Sequence, residues 1–230
     1  MAATGDEATT PDAAREVEVP PPYDFDESFR FLLVGPHDPS VRTGPGRLVR
    51  AARTPVGPVT LDLARTRGGV RAHAWGRGAE WTVARLDGLA GLADEPGGLV
   101  PPPGRLGTLV RRGRALRLPR TPFVFDALVA IVLQQRVSFR EAARSHRRLV
   151  AALDESAPGP FGLRLPLSPR QWLALSGEDF RRAGIDGQRA RALRVLARRA
   201  SAVWSVADLG YAEARARLQA LPGCGPWTVE

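Results

Sequence analysis

The residues best suited to chemistry in these 230 are Leu221-Pro222-Gly223-Cys224-Gly225-Pro226-Trp227-Thr228. An apolar helical period through Ala214, Leu218 and Leu221 stops at Pro222-Gly223, and Pro226 sits where the first turn of a following helix accepts proline. Two glycines at this spacing let the backbone turn tightly and come close to another surface with its N–H groups outward. Such a turn is an anion nest, sized for a phosphate. The same residues also fit a plain corner between two helices, with glycine at the C′ position.

The charge balance bears on that choice. The chain has 33 basic and 24 acidic residues, a formal net charge of +9, and every base is arginine; lysine and asparagine are absent. Coding bias accounts for arginine in place of lysine, but not for the net sign. Residues 1–30 carry eight acids against Arg15 and Arg30, so the remaining 200 carry +15. The densest block, 105–148, sets eleven arginines against Asp126 and Glu141, both of which read as helix-start residues. A polyanionic partner, nucleic acid first, fits this distribution. One cysteine, Cys224, excludes an internal disulfide, a cysteine-ligated zinc site and an iron–sulfur cluster within these residues. No apolar run approaches the ~18 residues of a membrane span and residues 1–10 lack signal-peptide character, so a cytoplasmic, nucleoid-associated protein without a membrane partner is expected.

The elements that must position the glycine-rich turn follow from periodicity. Residues 1–22, acidic and ending in three prolines, read as a disordered tail. A short helix fits Asp26–Val34. Strands fit Arg47–Thr54, Pro58–Thr66 and Val70–Trp75, separated by glycine- and proline-bearing turns, with a helix near Ala79–Leu92. Residues 94–104 (DEPGGLVPPPG) fit a linker. From Leu106 the period is helical: Leu106, Leu109, Val110 and Leu116, then Phe125, Leu128, Val129, Val132 and Leu133. Ser138 to Glu141 is a capping box opening a helix to about Leu153; Ser168-Pro169 starts another, and Asp186 caps one through Ala200. The expectation is an α+β protein: a small mixed α/β domain with an antiparallel sheet over 23–93, then an all-α domain over 105–230.

The turn at 221–228, together with Pro22-Tyr23-Asp24-Phe25, the stretch from Arg105-Leu106-Gly107 to Leu116-Arg117-Leu118-Pro119, and the helix Phe125–Gln135 running into Val137-Ser138, resembles a known family. It is similar to the helix-hairpin-helix (HhH-GPD) base-excision DNA glycosylases, in particular the DNA-3-methyladenine glycosylase II branch. The resemblance implies hydrolysis of the N-glycosidic bond of an alkylated base in double-stranded DNA, with the damaged nucleotide flipped into a pocket and a wedge residue holding the gap. It implies a monomer when complete, and no cofactor beyond a monovalent or divalent cation at the hairpin backbone, with no metal held by side chains.

Residue by residue, the resemblance places the DNA contact on Leu221, Pro222, Gly223, Cys224, Gly225 and Thr228 of the hairpin. It adds Gln135, Arg136 and Ser138 from the stretch Leu133-Gln134-Gln135-Arg136-Val137-Ser138. Arg136 occupies the wedge position, where better-known members carry an apolar residue; an arginine there can stack or reach a phosphate. Gln134 and Trp227 fall on base-pocket positions, an aromatic face suiting a cationic alkylated base. Read without the resemblance, the two glutamines also fit a solvated helix end, and Trp227 a core residue between helices. Cys224 reads as a small buried hydrophobe.

The family's lyase branch forms a Schiff base through a lysine just after the hairpin. These residues contain none, which leaves the monofunctional route: water attacks the sugar while a carboxylate stabilises an oxocarbenium-like transition state. The family's catalytic Asp lies beyond the second hairpin helix, past Glu230, so no catalytic residue is expected among these 230. Two expectations follow from that: a truncated all-α domain belonging to a longer glycosylase, inactive as it stands, or a non-catalytic DNA-binding remnant. A third is a hairpin module that tethers a partner to DNA.

Overall fold

The computed structural model describes residues 10–35, 37–95, 98 and 100–229. Strands β1 (Ala13–Glu18), β2 (Val41–Gly44), β3 (Arg47–Thr54), β4 (Gly57–Arg65) and β5 (Gly69–Trp75) form one antiparallel sheet in the order β1-β5-β4-β3-β2. Helix α1 (Phe25–Phe29) enters from a side-chain cap at Asp24, and α2 (Ala79–Val83) and α3 (Leu86–Leu89) follow the sheet. These helices cover one sheet face through Phe25, Phe29, Leu61, Leu63, Leu86 and Leu89. The expected single helix over 79–92 is broken at Ala84-Arg85, and the first helix gives way to a 3-10 turn at Arg30–Leu32.

The expectation of a disordered tail over 1–22 is corrected: Ala13–Glu18 is a paired edge strand, with Ala13 opposite Ala74 and Val17 opposite Val70. Its acidic composition hides a period of two. Ala13, Arg15 and Val17 point inward, and Arg15 reaches the carbonyls of Val83 and Ala84 and the carboxylate of Asp87. Residues 1–9 of that tail lie outside the described residues.

The helical part comprises α4 (Arg105–Gly113), α5 (Val124–Gln134), α6 (Phe139–Leu153), α7 (Pro169–Ala174), α8 (Gly177–Ala183), α9 (Gly187–Arg198), α10 (Ala200–Ser205), α11 (Tyr211–Gln219) and α12 (Pro226–Val229). Serine caps at Ser138, Ser168 and Ser176 each form both bonds of a capping box, and Asp186 caps α9 by accepting from the N–H groups of Gln188 and Arg189. Glu141 is thus a helix-start residue, as expected. The helix expected to run from Asp186 through Ala200 ends at Arg198 instead. Leu128, Val132, Leu133, Trp172, Leu193 and Leu196 form the centre of this second core. Of the residues expected to open the helical period, Leu106 and Leu109 on α4 stay exposed.

The packing boundary does not fall at 94–104. Residues 115–123 still run along the first layer: the N–H of Arg117 donates to Ser28 Oγ, that of Arg120 to the Gly88 carbonyl, and Phe123 is buried in the sheet core. The second sheet face is covered from the helical side, Val49 and Ala51 packing on Leu163 and Leu165. Arg53 fastens this junction. Its backbone N–H donates to Asp126, and its guanidinium donates to the Pro166 carbonyl at 2.6 Å and to Glu155 at 2.6 Å. Asp126 does begin a helix, but it is fully buried at this junction, and burial pushes its carboxyl up despite nearby Arg50 and Arg53. Helix α5 is therefore held at its start by the sheet and carries the candidate site at its end.

Candidate nucleic-acid interface

The glycine turn is built against α9. Gly223 has φ +91°, and a Cβ there would lie 2.7 Å from the Cβ of Ala192. Its lack of a side chain is required twice, by the left-handed backbone and by the close approach. Gly225 differs: an added Cβ would meet nothing within 4 Å. Gly223 seats the hairpin, while Gly225 faces open space. Cys224 between them is buried, which raises its thiol above the ordinary range, and Leu221 packs against the helical core. Among the described residues, neither Gly223 nor Gly225 donates its N–H to a backbone carbonyl.

The end of α5 meets this hairpin. The side-chain amide of Gln135 donates to the Gly223 carbonyl at 2.9 Å and to Thr228 Oγ1 at 3.0 Å, joining segments about ninety residues apart. The next residue, Arg136, has φ +59°, a conformation that costs a side-chain-bearing residue of order 1 kcal/mol or more and persists where its surroundings impose it. Its guanidinium donates to Gln188 Oε1 at 3.2 Å, at the start of α9. Gln135, Arg136, the first turns of α9 and the hairpin together enclose an open cavity of about 760 Å³.

Arg189 stands behind that cavity. It is buried and donates to Asp186 at 2.7 Å and to the carbonyls of Leu133 and Gly184 at 2.9 Å each. It therefore fixes the end of α5 against the start of α9. Asp186 is the one carboxylate among the described lining residues. The helix N–H groups of Arg189 and Gln188 and the Arg189 guanidinium hold its carboxyl below the ordinary range, so both its oxygens are committed to structure. Arg191, also lining the cavity, is exposed and makes no ion pair among the described residues.

No protein-family model matches the sequence, and no curated protein does. Solved structures do match. A 3-methyladenine DNA glycosylase from Archaeoglobus fulgidus superposes with a TM-score of 0.72 at 18% identity, over 94% of this chain and 76% of that one. The fold is that of the helix-hairpin-helix DNA glycosylases. MBOgg1 in complex with a low-affinity DNA ligand matches with a TM-score of 0.64 at 13% identity, over 90% of this chain and 71% of that one. The apo form of the Clostridium acetobutylicum 8-oxoguanine glycosylase/lyase matches with a TM-score of 0.61 at 14% identity, over 95% and 78%.

Within this glycosylase fold, the residues singled out in the sequence separate into two groups. Gln135, Arg136, Pro222, Gly223, Gly225, Trp227 and Thr228 converge on the cavity. Trp227 is 66% exposed, so among the described residues it is not a core tryptophan. Gln134 does not join them: its amide donates back to the Ala130 carbonyl of its own helix. Ser138 is spent on capping α6. Arg189, Gln188 and Arg191 were not singled out, because nothing in an arginine-rich helical stretch marks which residues face a site. Among the described residues, no group of three or more His, Cys, Asp or Glu could hold a metal ion, and no helix is long and apolar enough to cross a membrane.

Proposed function

We propose that this chain binds duplex DNA at the cavity between the hairpin, Gln135-Arg136 and the start of α9, as the DNA-engaging part of a monofunctional base-excision glycosylase. The observation that carries this is the convergence of Gln135 on Gly223 and Thr228, which leaves Arg136 in a strained, exposed position beside an outward-facing Gly225. An arginine so placed can fill the gap left by an extruded nucleotide and stack on its neighbours. Gly225 and the hairpin N–H groups can approach a phosphate closely.

The base we propose is alkylated and cationic, of the 3-methyladenine type. The exposed Trp227 ring offers such a base an aromatic face, and a charged base leaves without strong acid assistance. The similar Clostridium acetobutylicum 8-oxoguanine enzyme is a glycosylase/lyase. These residues hold no lysine, so a side-chain amine cannot act here and the proposed route is hydrolytic. The described residues supply no free carboxylate to the cavity, Asp186 being a helix cap. A cation would only brace the turn, and the Gly223 carbonyl is already taken by Gln135.

The test uses the 230-residue chain and duplexes carrying a fluorescent base analogue beside a lesion. Binding with a fluorescence rise, reduced in Arg136→Ala, is the expected result, with no release of base from alkylated DNA. Dose-dependent release by the pure chain would refute the assignment of a site without its catalyst. Tight binding with no fluorescence change would favour a tethering module, which the committed Asp186 already allows.

A further inference from the structure

Helix α6 begins three residues after the strained Arg136, and its first half is unlike α8 and α11. On α8, Arg181 and Arg182 both pair with Glu178, and on α11 Arg217 pairs with Glu213. On α6, Arg140, Arg144 and Arg147 are exposed and make no hydrogen bond or ion pair among the described residues. With Ala143 and the half-exposed Phe139 they line a groove of about 410 Å³. The one carboxylate in this stretch, Glu141, is bonded to Ser138 Oγ and the Ser138 N–H and so turns back to the helix start. Three guanidiniums without an ion pair share one helix face and repel one another, and among the described residues Glu141, itself bonded to Ser138, is the acid that acts on this face, beside Arg144.

We propose that this groove is a second contact surface for the phosphate backbone of duplex DNA, continuous with Arg136. The proposal rests on the duplex-binding function proposed above and extends it to a surface outside the cavity. Arg140 to Arg147 spans seven residues, about 10 Å along the helix axis, over which one DNA strand presents about three phosphates. Guanidinium forks bind phosphate oxygens bidentately, and Phe139 gives the intervening sugars an apolar floor. Arg136 at the cavity and Arg140 on the first turn of α6 make the basic track unbroken in the chain. A single strand of phosphates can then pass from the hairpin side to the groove.

The experiment measures affinity for an undamaged duplex against potassium chloride concentration, for wild type and for the triple variant Arg140→Gln/Arg144→Gln/Arg147→Gln. Each lost phosphate contact lowers the slope of log K against log salt by about 0.9, so a fall of about 2–3 is expected. The triple Arg→Lys variant keeps most of the slope, which a merely structural role would not produce. Circular dichroism melting accompanies each variant; should the triple variant unfold, the three single variants are read instead, each expected to lower the slope by about 1. An unchanged slope in folded variants overturns the groove while leaving wild-type binding and base flipping, and so the cavity function, intact. Failure of wild type to bind duplex at all overturns both. Loss of binding to phosphatidylserine vesicles with the DNA slope unchanged assigns the groove to membranes and overturns the proposal.

Discussion

Arg53 and Arg189, compared with Arg140, Arg144 and Arg147, show one residue type doing opposite work in one chain. Arg189 is buried and Arg53 largely so, its side chain 12% exposed, and their guanidiniums join segments that the sequence separates by tens of residues: the sheet to Pro166 and Glu155, and the start of α9 to the Leu133 carbonyl at the end of α5. The other three stand in water along one helix face, with no hydrogen bond or ion pair among the described residues. In a lysine-free chain, composition cannot separate these roles. What separates them is the supply of acceptors: a guanidinium taken from water must find carbonyls and carboxylates, and one left in water remains available to a ligand.

The largest expected effect tests the buried side. Arg189→Ala leaves the Leu133 and Gly184 carbonyls without a donor and should cost about 3 kcal/mol, read as a lower urea midpoint. Arg189→Lys recovers little, since one ammonium cannot match the fork. Gly223→Ala comes next, at about 2 kcal/mol, from the positive φ and the clash with Ala192; duplex affinity should drop with it.

Asp126 sharpens the junction. Its folded pKa is raised by burial, so the folded state holds that proton more tightly than the unfolded chain. Its contribution favours folding at acid pH and is lost as pH rises through the raised value. Asp126→Asn should therefore be relatively more stable near neutral pH than at acid pH, when urea midpoints are compared across pH; a constant difference would contradict the buried, proton-holding carboxyl. Arg144→Gln has the smallest effect on stability, within about 0.5 kcal/mol, yet it should lower the salt slope by about 1. Equal destabilisation by Arg189→Ala and Arg144→Gln would erase the contrast between the two sets.

Local chemistry made part of the site legible. The capping box at Ser138, the cap at Asp186 and the turn at Leu221–Gly225 are each a matter of a few neighbouring residues, and each stands where periodicity and turn residues placed it. Strands β3 to β5 were legible from alternation bounded by glycine and proline. Strand β1 was not, because acidic residues on its solvent face mask the inward Ala13, Arg15 and Val17, and its partner β5 lies more than fifty residues away. Gln134 and Gln135 show the same limit at the site. They are chemically identical, yet one folds back on its own helix and the other reaches the hairpin, a difference set by the helix end at Gln134.

The sequence by itself determined the basic body, the order of elements, the glycine turn and the absence of any lysine amine among these residues, all properties of composition or of short-range backbone chemistry. Only the tertiary structure decided which arginines are structural and which are free. It alone made Gly223 serve the fold and left Gly225 facing open space, and it alone brought the Asp186 cap to the edge of the cavity. Those outcomes depend on which acceptors and surfaces the folded chain brings within about 3 Å of each group, and hydrogen bonds that short form only where the packing of distant segments places them.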